Sequence, residues 1–223
     1  FKIDKEIPHS QMLRGEIFWG LVNNINFSIV GIVVYILYQK GRLSVFWNFN
    51  QYPFWYHLLL IPVLLLLHDA YFFWIHWLMH KTPAGKWLRH DIHHSAHNVS
   101  PWSAFSVHPY EGFLEVIFRL FTLMLIPMHP FDFLFFEVLT FALNIIGHSG
   151  YEFFPRSFAQ NSVTKIQSSA TFHYLHHQNG HTNLSLFFNH WDRIMGTMNP
   201  NYQSFYQKVV DERSSDSIKS EIS

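Results

Sequence analysis

The stretch LLLIPVLLLLHDAYFFWIHWLMH, residues 58–80, narrows what the chain can become more than any other feature. Read from Phe54 to His80 as one helix, it measures about 40 Å at 1.5 Å per residue, longer than the roughly 30 Å hydrocarbon core of a bilayer. Its C-terminal end should project into water, and that end carries His76 and His80. Pro62 is expected to kink it. A second apolar run, from Ile17 to about Tyr38, is also long enough to span, softened by Asn23, Asn24 and Asn26 and closed by Lys40, Gly41 and Arg42. Two shorter stretches, 113–126 and 131–147, joined by PMHP, form either a tight transmembrane hairpin or a re-entrant one.

Composition agrees with a membrane setting. Only 13% of the residues are charged and 19% are aromatic, against about 25% charged in an ordinary soluble domain. Lys+Arg and Asp+Glu both count 15, so net charge points to no nucleic acid and no acidic partner. Without cysteine there is no disulfide framework, thiolate metal site or Cys nucleophile. The chain opens at Phe1 rather than Met, leaving room for a missing N-terminal piece, and what remains shows no cleavable signal sequence. The expected layout is a polar segment at 1–16, a membrane-embedded domain at 17–200, and a charged, Ser-rich tail at 201–223 read as disordered. The expected fold is an all-α integral membrane bundle of about four transmembrane helices with a cytoplasmic helical cap. Lys2, Lys5, Arg14, Lys81, Lys86, Arg89, Arg156 and Lys165 flank the spans on one side, and only Lys40 and Arg42 on the other. That bias places both termini and the polar segments in the cytoplasm, with the bilayer being the cell membrane or the endoplasmic reticulum.

Those polar segments hold the unusual chemistry. RHDIHHSAHN, residues 89–98, and FHYLHHQNGH, residues 172–181, each pack four histidines into ten positions. On a helix, His76 and His80 fall within about 40° of each other, and His90, His93, His94 and His97 fill a stripe about 100° wide. His173, His176 and His177 repeat the spacing. Neutral imidazole is the commonest protein metal ligand, and two ions in ordinary coordination need roughly eight donors. His76, His80, His90, His93, His94, His173, His176 and His177 supply eight. Isolated histidines such as His9, His57 and His129 read instead as surface or interface residues. Structural zinc often uses Cys, and the Glu-x-x-His spacing of soluble di-iron bundles is absent. A two-metal, nearly all-His site beside a bilayer points to a redox metal working on lipid. The alternative is a membrane metal transporter or metal-binding protein with cytoplasmic His clusters, but transporters set their ionisable groups at mid-membrane, whereas these lie at helix ends.

The order H-x-x-x-H (76–80), H-x-x-H-H (90–94), H-x-x-H-H (173–177) resembles the fatty acid hydroxylase/sterol desaturase superfamily. HDAYFFWIHWLMH at 68–80, FSVHPYEG at 105–112, GHSGYEFFP at 147–155 and NHWDRIMGT at 189–197 are similar to it as well, so the likeness covers about 68–197. It implies a membrane-bound non-haem di-iron oxygenase that uses O₂ and electrons to hydroxylate or desaturate a lipid C–H bond. By motif, it makes the eight histidines iron ligands and His148 a ninth. His97 and His108 become ligands or groups standing behind ligands, and His181 a non-ligand. No H-P-G-G haem motif of a fused cytochrome b5 domain is present, which implies a separate electron donor of the cytochrome b5 or ferredoxin type. An all-imidazole site also accepts zinc, which can replace iron in purified protein. GHSGYE and WDRIMGT look more like the sterol desaturase branch, which covers diverse lipid enzymes, so a sterol substrate does not follow.

Three acidic positions stand out inside apolar runs. Asp69 shares a face with His76, and it either orients a ligand imidazole or pairs with His68. Glu137, Asn144 and His148 fall on one stripe, which reads first as a polar face turned into the bundle and second as a substrate path. Arg119 and Glu137 lie equally far from Met128 at the hairpin turn and should pair, with Glu115 as the competing partner.

Overall fold

The computed structural model describes residues 1–222, with side chains to Glu212. Its elements are helical: α1 (Ser10–Gln39), α2 (Phe54–Lys81), α3 (Ala84–Leu88), α4 (Asp91–His94), α5 (Pro109–Leu125), α6 (Pro130–His148), α7 (Ala170–Asn179), α8 (His190–Met195) and α9 (Tyr202–Ile222). Among the described residues no strand forms beyond isolated bridges.

Three helices, α1, α2 and α6, are long and apolar enough to cross a membrane. Their outward residues, among them Leu21, Ile25, Ile32, Leu59, Leu66, Phe135 and Val138, are exposed. So large an apolar belt is the surface of a protein solvated by lipid. α5, counted above in a transmembrane hairpin, does not qualify. It runs only 17 residues and carries Glu111, Glu115 and Arg119, so among the described residues three candidate spans stand where about four were expected. Pro62 lies inside α2 without ending it. α1 starts at Ser10, ahead of its apolar run, because His9 caps it by accepting from the Gln11 N–H at 3.3 Å.

Close helix contacts set the bundle. α1 packs against α5 at Gly112, where any Cβ would come within 2.0 Å of Asn23 Oδ1. Between α2, α5 and α6 lies a core of Leu60, Leu64, Phe118, Leu123 and Phe136. The expected ion pair forms, with Arg119 Nε 3.3 Å from the Glu137 carboxylate and both side chains largely buried. At the far end of α2, His57 is neither exposed nor idle: its Nδ1 lies 2.9 Å from Asp132, whose other role is to cap α6 together with His129.

The segment 201–223, expected to be disordered, begins instead as α9. Tyr202, Tyr206 and Val210 are buried in a second core with Phe158, Ala159 and Phe172, and Phe172 belongs to α7. The spacing of four that buries those residues is hidden among polar neighbours, so the segment's average polarity misled the reading. The residues of this segment beyond Glu212 have no described side chains.

Tyr206 donates its hydroxyl to the Pro155 carbonyl at 2.9 Å. Tyr206→Ala is therefore expected to cost about 3–5 kcal/mol, and Tyr206→Phe about 1 kcal/mol, read as the shift in thermal melting of the purified protein. Unchanged melting in Tyr206→Ala would return the segment to the status of a tail.

Candidate metal centre

α2 delivers His76 and His80 from its last turns, one turn apart on one face. The backbone then reverses through α3 into α4, only four residues long, which carries His93 and His94 and is preceded by His90. α7, capped by the Ser169 hydroxyl on the Phe172 N–H at 3.2 Å, carries His173, His176 and His177. It stops at Gly180, whose φ of +68° suits glycine and whose hydrogen-only α-carbon passes under the His80 ring. His148 closes α6.

These nine side chains meet in two groups. His76, His80, His90, His94 and His176 form one, and His93, His148, His173 and His177 the other; within each group one nitrogen per ring lies within 4.8 Å of all the rest. Adjacent residues part company: His93 and His94 go to different groups, as do His176 and His177. The resemblance assigned His148 to the set, and the fold brings it there.

The proton inventory of the rings shows what the groups fit. A neutral imidazole has one N–H. His76 Nδ1 donates to the Leu184 carbonyl at 2.7 Å, His176 Nδ1 to the Thr182 carbonyl at 2.9 Å, and His90 Nδ1 to the Glu111 carboxylate at 2.7 Å. Each Nε2 is thereby left with a lone pair. Yet His80 Nε2 sits 3.0, 2.9 and 3.1 Å from Nε2 of His76, His90 and His94, and its single proton can satisfy one of them. In the second group His148 Nδ1 donates to the Asn144 carbonyl at 3.0 Å, and its Nε2 faces His173 Nε2 at 2.7 Å, itself 3.1 Å from His177 Nε2. Converging lone pairs repel unless a cation lies among them, so both groups fit a metal ion.

Burial, then the neighbouring imidazoles, holds His90, His93, His173, His176 and His177 well below the ordinary imidazole pKa. Burial lowers His94 to about 4, with His97 contributing next. All six are neutral near pH 7, the form that binds metal.

Carboxylates that the sequence reading passed over hold the walls. Glu111, in the HPYEG stretch of α5's first turn, orients His90. Asp192 accepts from the backbone N–H of Leu184 and Ser185, each at 2.8 Å, and from the Thr197 hydroxyl at 2.5 Å. Glu152 holds the start of α7 through the Thr171 N–H at 3.0 Å. Acids next to His-Pro or within the NHWDRIMGT stretch were the available signal.

Other assignments move. Asp69 touches no imidazole of either group and does not bond His68. It accepts from the Phe187 and Phe188 N–H groups at 2.7 and 3.1 Å, bracing the loop whose Leu184 carbonyl orients His76. His97 is exposed and outside both groups, because α4 ends at His94 and the expected stripe has no helix to run on. His108 is also outside them, capping α5 by accepting from the Tyr110 N–H at 3.3 Å.

Two spaces adjoin the groups. A cavity of about 60 Å³ is bordered by His90, His93, His148 and His173 at one end, and by Arg119 and Thr140 elsewhere. Glu137 is not among its lining residues, whereas Asn144 and His148 are. On the opposite side a wider depression of about 600 Å³, lined by Lys86, Arg89 and His181, reaches His80 and His94.

The fold is helical, with three helices long and apolar enough to cross a membrane among the described residues, and its nine imidazoles form two groups that could each hold a metal ion. The fatty acid hydroxylase family profile matches residues 61–197, so the chain belongs to the fatty acid hydroxylase family, within the fatty acid hydroxylase/sterol desaturase superfamily. It is 33% identical to cholesterol 25-hydroxylase of Homo sapiens over 145 residues, 60% of this chain and 49% of that protein. It is 29% identical to a cholesterol 25-hydroxylase-like protein of Danio rerio over 170 residues, 74% of this chain and 61% of that one. With lathosterol oxidase of Mus musculus it shares 25% over 197 residues, 86% of this chain and 64% of that protein. The chain thus spans about half to two thirds of the length of these curated relatives. No solved structure matches.

The lowered pKa values fix a pH dependence. Between the native values and about 6.5 the unfolded chain binds more protons than the folded one, so stability is full above 6.5 and falls as pH drops. Melting temperature should fall between pH 7 and pH 5 with or without chelator. A flat profile would show that the imidazoles are not buried in neutral form.

Proposed function

We propose that the chain is a non-haem di-iron oxidoreductase that hydroxylates or desaturates a C–H bond of a membrane lipid with O₂. The observation that carries this reading is the division of nine inward-turned imidazoles into groups of five and four beside a cavity partly walled by aromatic rings. In this reading His76, His80, His90, His94 and His176 hold one iron, and His93, His148, His173 and His177 the other. Bound iron supplies the redox chemistry that O₂ needs to attack an unactivated C–H bond.

The chain's own residues do the rest. Carbonyls and Glu111 keep protons on Nδ1 so that Nε2 stays available. Phe72, Phe105 and Phe141 line the cavity, exclude water and press a hydrocarbon against the histidine end. The catalytic unit is residues 17–200, with the histidines on the cytoplasmic face, as the flanking basic residues support. Electrons come from a separate donor of the cytochrome b5 or ferredoxin type. Relatives named for cholesterol and lathosterol make a sterol the first lipid to test, and those named as hydroxylases make an alcohol the first product to seek.

The test compares iron-loaded and zinc-loaded protein on one lipid extract under ¹⁸O₂ with a reductant chain. About two ions should bind per chain. Only the iron form should turn over, with label in a hydroxylated product, or in water alone if an alkene forms. Equal turnover by the zinc form would make the protein a hydrolase or carrier and end the oxygenase reading. His93→Ala, His148→Ala and His176→Ala should each abolish activity, whereas His9→Ala, on the surface, should not; full activity in His93→Ala or His176→Ala rejects the ligand set.

A further inference from the structure

The cavity beside the histidines has a second polar region that the proposed chemistry does not use. Glu111, Glu115 and Arg119 follow one another at four-residue spacing along one face of α5, and all three line it. Glu111 is engaged with His90. Arg119 lies eight residues further on, about 12 Å along the helix axis.

The groups there are incompletely paired. A guanidinium carries five N–H donors. That of Arg119 gives Nε to Glu137 at 3.3 Å and one Nη to the Glu115 carbonyl at 3.2 Å, and its remaining donors meet no acceptor among the described residues. The Glu115 carboxylate has the Arg119 charge as its electrostatic neighbour and no hydrogen bond to it. Opposite, on α2, His68 is buried with its ring 4.9 Å from Phe118 and 5.8 Å from Phe136, and its Nδ1 has no partner. A buried imidazole without a hydrogen bond costs stability unless something completes it. The walls of the same cavity also include Phe27, Phe72, Phe105 and Phe141.

We propose that Arg119, Glu115 and His68 form a binding subsite for a neutral lipid hydroxyl, which fixes which end of the substrate faces the histidines. A hydroxyl both accepts and donates: it accepts from Arg119 and donates to Glu115 or His68. A carboxylate or phosphate cannot donate, and it would face the Glu115 carboxylate beside a guanidinium that Glu137 already pairs. This rests on the lipid-oxidation reading and gives its substrate class: a lipid alcohol whose oxygen is held roughly 12 Å along α5 from the level of Glu111, the cavity, about 60 Å³ as it stands, widening for the rest of the molecule to lie along the phenylalanine walls.

The experiment measures equilibrium binding to iron-loaded protein in lipid nanodiscs without O₂. The probes are cholesterol and its 3-methyl ether, hexadecan-1-ol and its methyl ether, and palmitate. Each ether keeps the acceptor and loses the donor. On at least one skeleton the alcohol should bind about tenfold tighter than its ether, the worth of a hydrogen bond to a charged group, and the skeleton that shows this tells a sterol from a straight-chain alcohol. Palmitate should bind more weakly than the alcohol. Glu115→Gln and His68→Phe, the latter placing a ring of similar shape among Phe118 and Phe136, should keep their melting behaviour and lose most of the preference. Equal affinity for alcohol and ether on both skeletons, no binding of either, tighter binding of palmitate, or a preference intact in both variants overturns the subsite. Admitting O₂ afterwards separates the two readings. A hydroxyl preference without product leaves the subsite standing and removes the oxidation, whereas product without preference does the reverse.

Discussion

Lone pairs turned toward one another repel, and the histidine centre brings nine imidazoles together, four of them with Nε2 lone pairs fixed inward. Everything around it serves to hold that arrangement. Three carbonyls and one carboxylate take the Nδ1 protons of His76, His90, His148 and His176 and so fix which nitrogen faces inward. Behind them, Asp69, Asp192 and Glu152 accept backbone N–H groups of the segments that bear the carbonyls or start α7. These acids are buried, where an unpaired carboxylate would be expensive, so each stabilises a loop that could otherwise let the rings drift apart. The greasy helices contribute little chemistry of their own. They are a platform whose ends are held at one level.

The centre also divides two environments. On one side the depression over His80 and His94 carries Lys86, Arg89 and His181 and is open to water. On the other, the cavity at His90, His93, His148 and His173 is walled by aromatic rings from α1, α2 and α6. The two flanks of the centre therefore differ in chemistry, one wide and basic, the other narrow and lined in part by aromatic rings.

Much of this was legible in the sequence, for reasons that differ by element. α2 could be drawn to within a residue because an unbroken apolar run has only one low-energy solution in lipid. The Arg119–Glu137 pair followed from equal distance to the PMHP turn. The eight histidines of the H-x-x-x-H and H-x-x-H-H motifs were visible because repeated spacing on a helix is improbable by chance, whereas His148, standing alone at the end of α6, was visible only through the resemblance. Periodicity failed where it was extended past the helix that carries it: His97 was placed on a stripe that ends three residues earlier. Average polarity failed for α9, whose buried Tyr202 and Tyr206 are sparse in a charged segment. The hairpin of α5 and α6 was left open between spanning and re-entrant, although the three charged residues along one face of α5 were already a signal against a full span. Asp69 shared a face with His76, as expected, but a shared face does not say which of several donors within reach will claim a carboxylate. The division into five and four was not legible at all, since spacing gives the direction of a side chain and not its destination.

That division has a mechanical side. His93 and His94 are consecutive residues sent to different groups, and so are His176 and His177. Consecutive α-carbons are about 3.8 Å apart across a trans peptide, a length that neither side-chain repacking nor helix tilting can stretch. The offset between the two groups is therefore tied to covalent geometry at two independent places, on α4 and on α7. Lipid thickness, temperature or a sliding transmembrane helix can shift the whole centre, but they have little leverage on its internal scale. The bilayer supplies a soft and variable support, and the peptide bond supplies the ruler.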